Sequence, residues 1–148
     1  MSRIRRILHP SDFSRASGAA FAKSVEMAKA NRAELLVVHV LAPAVPLAGD
    51  GYISPKVYEN LEASARAWGQ KRLNALLGKA RKAGVRAKGL LLDGIPHEQI
   101  GRTAKSKKAG LIVIGTHGRT GLAKFFLGSV AGRVVSTAPC PVLTVRGR

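Results

Sequence analysis

Apolar and polar positions along this chain follow two alternating rhythms. Short, dense apolar runs read as strands, and longer stretches with apolar residues three or four apart read as helices. Ile4 to His9 is the first strand, with Ile7-Leu8 its firm part. Pro10 stops it, and Ser14 in Pro10-Ser11-Asp12-Phe13-Ser14 is placed to cap the next helix. Phe21, Val25 and Ala28 keep helical spacing and predict that helix over Arg15 to Asn31. Leu35 to Val40 is a near-continuous apolar run, the signature of a strand covered on both faces. Ala42 to Pro55 is a proline- and glycine-bearing loop, long enough to act as a flap.

A long helix is predicted from Pro55 to Ala83, with one apolar face through Val57, Leu61, Ala65, Trp68, Leu73, Leu76 and Ala80. Gly84 ends it. Val85 to Leu92 is the third strand, and Pro96 opens a third helix whose Ile100 and Ala104 face inward. Leu111 to Ile114 is strand four, Ser129 to Thr137 a short helix, and Pro141 to Val145 strand five. The order βαβαβαβαβ predicts an α/β fold, one doubly wound five-stranded parallel sheet with helices on both faces. Residues 1–148 are expected to form one domain, without repeat or linker. In such sheets a ligand sits beyond the carboxyl ends of the strands, where the strand order reverses. Strands one and four, as neighbours there, would bring Pro10-Ser11-Asp12 and Gly115 to one crevice.

Composition changes this picture in two ways. Cys140 is the single cysteine, so no intrachain disulfide can form; a reducing compartment is expected. No apolar run reaches the ~18 residues of a membrane span, so a cytoplasmic protein without a membrane partner is expected. The charge is extreme, with 25 Lys and Arg against 8 acids and a net +17. The cations look scattered along the chain and are not interleaved with aromatics. A specific nucleic-acid partner is therefore not expected, while salt-sensitive, nonspecific polyanion binding is.

The candidate chemistry lies in Gly115 to Val130, GTHGRTGLAKFFLGSV. Glycine exposes backbone N–H groups and lets a phosphate approach without a Cβ in the way. Ser129 then opens a helix whose amino end favours anions. Arg119 and Lys124 add charge. Neither G-x-x-x-x-G-K-[ST] nor G-x-G-x-x-G is present. The spacing is Gly115-x2-Gly118-x9-Gly128-Ser129 instead.

That spacing resembles the ATP-binding branch of the universal stress protein family, which carries G-x2-G-x9-G-[ST] after the fourth strand. The resemblance runs through "ILHPSDFS", "LLVVHV", "LLDGIPHEQI", "LIVIGTHGRTG" and "GSVAGRVVSTAPCPVLTV". It implies the strand order 3-2-1-4-5. It implies ATP as ligand, with a divalent cation such as magnesium held mainly by the phosphates. Asp12, beside Pro10, would contact the adenosine moiety, and Val40 would line the adenine pocket. Gly115, Gly118, Gly128 and Ser129 would take ribose and phosphates, with Val130 beside them and His117 and Arg119 within the loop. Some relatives have Thr where Ala131 stands, so one phosphate hydroxyl is missing here. The resemblance also implies a homodimer paired through strand five, Val142, Leu143, Thr144 and Val145.

Several of these residues also have plainer readings. Asp12 alone suits a turn before a helix, and Cys140 and Trp68 suit packing. His97 and Glu98 are adjacent on a helix and point apart, so they indicate no metal site. No catalytic triad or carboxylate pair emerges from spacing, and a phospho-acceptor domain would need clustered acids after strand one. The expected function is a stress-response ATP-binding module or switch. A slow ATPase using the same site and a nonspecific polyanion binder are the alternatives.

Overall fold

The computed structural model describes residues 3–42, 54–117 and 127–147. Five strands are laid down in chain order: β1 Arg6–Pro10, β2 Glu34–Leu41, β3 Ala87–Asp93, β4 Leu111–Gly115 and β5 Val142–Val145. Four helices join them: α1 Ser17–Asn31, α2 Pro55–Lys82, α3 Pro96–Ser106 and α4 Ser129–Thr137. The sheet is parallel throughout, as the alternation of elements predicts, and its order β3-β2-β1-β4-β5 is the one the family resemblance implies. The order reverses between β1 and β4, which pair through Ile7 with Leu111 and Leu8 with Ile112. β5 lies at one edge of the sheet.

Alternate residues of the central strands feed two cores. Ile7, Leu35, Val37 and Val113 pack under α1 and α2 with Ala20, Ala28, Leu73 and Leu77. Leu8, Leu36, Val38, Ile112 and Ile114 pack under α3 and α4 with Ile100, Ala104, Ala131 and Val134. Burial on both faces is why these strands carry unbroken apolar runs rather than alternating ones. Gly89 of β3 admits the closest approach of α2, since a Cβ there would sit 2.9 Å from the side chains of Leu73 and Leu77.

Three local expectations need correction. α1 begins at Ser17, not Arg15, and its N-cap residue is Ala16, without a side-chain cap bond. Ser14 still serves the helix start, because its Oγ accepts the Ser17 N–H at 3.2 Å. In α2 the buried line is Gly69, Leu73, Leu77 and Ala80. Val57, Leu61 and Ala65 of the predicted face are exposed, and Trp68 is 39% exposed. Length explains this. A 28-residue helix is about 42 Å long, while a seven- or eight-residue strand reaches only about 25 Å. The first turns of α2 therefore overhang the sheet. Cys140 is half-buried, and burial raises its thiol pKa.

The cations that look scattered in the sequence are gathered in the fold. Parallel strands put all helix C-termini at one end, where the strands begin. That end receives Lys29 and Arg32 at the end of α1, Lys79, Arg81 and Lys82 on α2, and Lys105, Lys107 and Lys108 around the end of α3. Arg3, Arg5, Arg6, Arg86 and Lys88 lead into or start its strands. Together these are more than half of the 25 lysines and arginines.

Candidate functional site: a crevice at the strand-order reversal

The crevice is built from the turn after β1, the end of β2, the end of β4 and the starts of α3 and α4. Ser11 prolongs the ladder by donating its N–H to Val38 O at 2.8 Å. The chain then turns sharply. Ser11 Oγ accepts the Phe13 N–H at 3.0 Å, and Asp12 Oδ1 accepts the Ser14 N–H at 2.9 Å. Phe13 sits in the left-handed region at φ 63°, a conformation costing about 1 kcal/mol for a residue with a Cβ. Its ring is held against His39 at 4.2 Å and edge-on to Trp68 at 5.4 Å. His39 Nδ1–H donates to Ser11 O at 2.8 Å, so β2 fixes the same turn from the side.

The opposite wall comes from β4. Thr116 donates its N–H to Val145 O at 2.9 Å, and Gly128 donates to Thr116 O at 2.6 Å. The second bond ties the start of α4 back to the end of β4. Thr116 Oγ1 lies 2.9 Å from His117 Nδ1. Gly128 caps α4 without a side-chain bond, and no acid stands in the first turn. The opening N–H groups of a helix have no partner within it, and they face an anion favourably.

Between these walls is a cavity of about 280 Å³. Pro10, Asp12, Val40, Gly115, His117, Gly128, Ser129 and Val130 all line it. Gly118 and Arg119, with Lys124, lie outside the described residues. Gly115 is informative. A Cβ there would meet its nearest neighbours at 3.6 Å, an ordinary contact, and its φ is not in the left-handed region. The described fold itself therefore does not require glycine at this position.

The lining also includes residues that the sequence did not assign to the crevice. Ser17 comes from α1, His39 from β2, Pro96 and Ile100 from α3, and Thr116 from β4. Pro96 and Ile100 are four residues apart at the start of α3, a spacing that puts both on one helix face. That signal was available without the fold. His9 is not part of the lining. It is fully buried on the α1 side of the sheet, 5.8 Å from the ring of Phe21. Nδ1 bonds Val113 O at 2.9 Å, and Nε2 has no hydrogen-bond partner among the described residues. Burial lowers its pKa to about 4, although the Val113 carbonyl and the charge of Asp12 pull the other way. His9 is thus a neutral core group.

Among the described residues no three His, Cys, Asp or Glu side chains come together to hold a metal ion. None of their helices is long and apolar enough to cross a membrane.

Comparison with known proteins agrees with this fold. A universal stress protein of Methanocaldococcus jannaschii is 36% identical over 144 residues, covering 96% of this chain and 82% of its own. The solved universal stress protein of Lactobacillus plantarum superposes with a TM-score of 0.76 at 28% identity, over 99% of this chain and all of that one. The universal stress protein of Archaeoglobus fulgidus, solved in complex with dAMP, superposes with a TM-score of 0.65 at 25% identity, over 98% of this chain and 100% of that one. The model of the universal stress protein family matches residues 3–146, so the chain belongs to that family.

Proposed function

We propose that this chain binds an adenine nucleotide, ATP, in the crevice between β1 and β4, and that it acts as a stress-response binding module or switch in the cytoplasm. The observation that carries the reading is the convergence of an adenosine-sized cavity with the uncapped start of α4. A glycine that the described fold does not need lies between them. The dAMP complex of the Archaeoglobus fulgidus relative supports an adenine ligand for this site.

Each residue has a physical role in this proposal. Val40, Val38 and Ile100 give the base an apolar slot. Asp12 keeps one oxygen on Ser14 N–H, and a carboxylate retains further acceptor sites for adenosine hydroxyl or amino hydrogens. Gly115 and Gly118 let ribose and phosphates approach the backbone. Gly128 admits the phosphates without a Cβ in the way, and Ser129 and Val130 offer first-turn N–H groups of α4 to phosphate oxygens. Arg119 and His117 add positive charge and a hydrogen-bond donor. Magnesium, where present, would ride on the phosphates, because the described residues lining the cavity offer Asp12 as their one carboxylate. Without a carboxylate cluster or an evident water-positioning base, the site holds the nucleotide rather than cleaving it.

Residues 1–148 act in this proposal as one nucleotide-binding domain. It pairs with a second copy through β5, whose Val142, Leu143, Thr144 and Val145 stand half-buried at the sheet edge. A parallel edge strand left open is a template for pairing. Light scattering at micromolar concentration should show a dimer; a monomer would refute that part.

The main test is direct. Mass spectrometry of small molecules released on denaturing the purified protein should find an adenine nucleotide, and calorimetric titration should show saturable ATP binding. Phosphate release with magnesium should stay far below the ~1 s⁻¹ of ordinary enzymes. Failure to bind any adenine nucleotide would remove the proposal, and turnover near that rate would replace it with an ATPase.

A further inference from the structure

The end of the molecule opposite the crevice has no role in nucleotide binding. Three segments meet there, 29–34, 79–88 and 105–110, joined by the approach to β1 at 3–6. Their only acid is Glu34. It is buried and already shared between Arg6 Nε at 3.1 Å and Lys88 Nζ at 3.6 Å. The remaining charge there is positive and exposed.

Helix-dipole stabilisation accounts for cations at the ends of α1, α2 and α3. It does not account for Arg3, Arg5, Arg86 and Lys88, which precede or begin strands. Nor does it account for how the arginines are held. Arg3 Nε donates to Asn31 O at 3.0 Å, Arg6 Nη1 to Lys107 O at 2.6 Å, Arg81 Nη2 to Ala87 O at 2.8 Å and Arg86 Nη2 to Arg32 O at 3.3 Å. The bonds of Arg3, Arg6 and Arg86 cross from one segment to another, and that of Arg81 closes the turn between α2 and β3. Each uses part of a guanidinium that has five N–H donors. The arginines are thereby fixed in place before any partner arrives, which lowers the entropy lost on binding. A depression lined by Arg6, Arg81, Lys88 and Lys107 opens between them.

We infer that this basic end docks on the phosphate backbone of duplex nucleic acid without reading sequence. Its chemistry selects among polyanions. The exposed large apolar side chains among the described residues are Val57, Leu61, Trp68, Ile95, Leu127, Val130 and Val135, and none belongs to these segments. The end therefore has no wedge to insert into a lipid surface and no aromatic platform on which unpaired bases could stack. Its cations lie in layers on both sides of the sheet, and packed layers stand about 10 Å apart. A face on the order of 20 Å wide opposes several phosphates at once, because a duplex carries one charge per about 1.7 Å of axis.

The test compares two triple variants of equal net charge by fluorescence anisotropy on a labelled duplex of about 20 base pairs. Lys82→Glu/Lys105→Glu/Lys108→Glu alters the basic end. Lys56→Glu/Lys71→Glu/Arg102→Glu alters exposed cations elsewhere. The parent protein should bind the duplex at about 50 mM salt and lose about a hundredfold or more in affinity by about 200 mM. The first triple should bind more than tenfold more weakly and flatten the log–log salt slope by about three, while the second should change affinity less than about threefold. Calorimetric ATP binding should be the same in the parent and the first triple, which separates this inference from the nucleotide site. Equal losses in both triples would reduce the effect to net charge and overturn the inference. So would no duplex binding at low salt, or tighter binding to phosphatidylserine vesicles than to the duplex.

Discussion

At the carboxyl end of the strands, the connections carry Asp12, Asp93 and Glu98, the histidines His9 and His39 are buried just below, and α4 opens without a cap. At the amino end the connections into β2, β3 and β4 are short and cationic, and Glu34 is their lone acid. The same helix polarity lies behind both. Helices α1 to α4 all start at the first end and stop at the second, so positive partial charge collects at one end and negative at the other. Anions suit the first, and cations suit the second. The turns differ as well. Arg32 and Lys108 adopt φ of 52° and 53° and Gly84 of 88° at the amino end, where the left-handed conformation ends a helix. At the carboxyl end Gly94 turns the chain after β3 at φ 133°, and the left-handed non-glycine residue among those described is Phe13, held there by His39 and Trp68, which aims Asp12 at the cavity. Strain at one end terminates a helix; at the other it shapes a site.

Acid should break the crevice end first. His9 titrates near 4 when folded and near 6.5 when unfolded. As pH falls, the unfolded chain takes up the proton first. The contribution is fully present above about pH 6.5 and lost progressively toward pH 4, for a total of about 3 kcal/mol. Urea midpoints at pH 7 and pH 5 should therefore separate in the parent and converge in His9→Leu. An unchanged separation in the variant would assign the acid sensitivity elsewhere.

Asp12→Ala sharpens the comparison from the ligand's side. ATP should bind about tenfold to a hundredfold more weakly, or roughly 1.5–3 kcal/mol for a charged hydrogen bond. The Asp12–Ser14 bond makes a second effect unavoidable: the apo protein should lose about 0.5–1 kcal/mol. Calorimetry and thermal melts together measure both. Loss of stability with unchanged affinity would reduce Asp12 to a turn residue.

Glu34→Gln tests the amino end. Removing the carboxylate leaves Arg6 and Lys88 facing each other across a buried amide, at a cost of about 2 kcal/mol in chemical denaturation. Arg6 is 37% exposed on its side chain, so water takes part of that charge and keeps the figure below that of a fully buried pair. A change under about 0.5 kcal/mol would show that the pair is only a surface contact.

The smallest effect is that of salt on the unliganded protein. The clustered cations repel, and ions within a Debye length of about 8 Å relieve them. Raising salt from about 10 to 150 mM should stabilise the chain by about 1 kcal/mol. The gain should shrink in the Lys82→Glu/Lys105→Glu/Lys108→Glu variant. An equal gain there would place the repulsion outside this end.

The sequence by itself determined the elements and their order, and it marked Asp12, Gly115 and Gly128-Ser129 as candidates for the crevice. Leu35 to Val40 and Leu111 to Ile114 are too apolar for anything but covered strands. Gly84 and Pro96 punctuate the chain where the structure does, whereas β1 runs on through Pro10, its expected stop. Gly115 and Gly128-Ser129 mark two segments that line the crevice, and few other residue types leave backbone N–H groups so open. Periodicity misjudged the first half of α2, since it reports which residues share a face and not how far the sheet beneath extends. Only the tertiary structure decided which loops meet. The pairing of β1 with β4 brings Asp12 to Gly115 across about a hundred residues of chain, and it adds Ser17 and Thr116, which no local pattern marks. The same fold gathers Arg3, Arg32, Lys82, Arg86 and Lys108 at one end. Charge placement along a chain fixes a composition, but a parallel sheet, by aligning every helix in one direction, turns it into a surface.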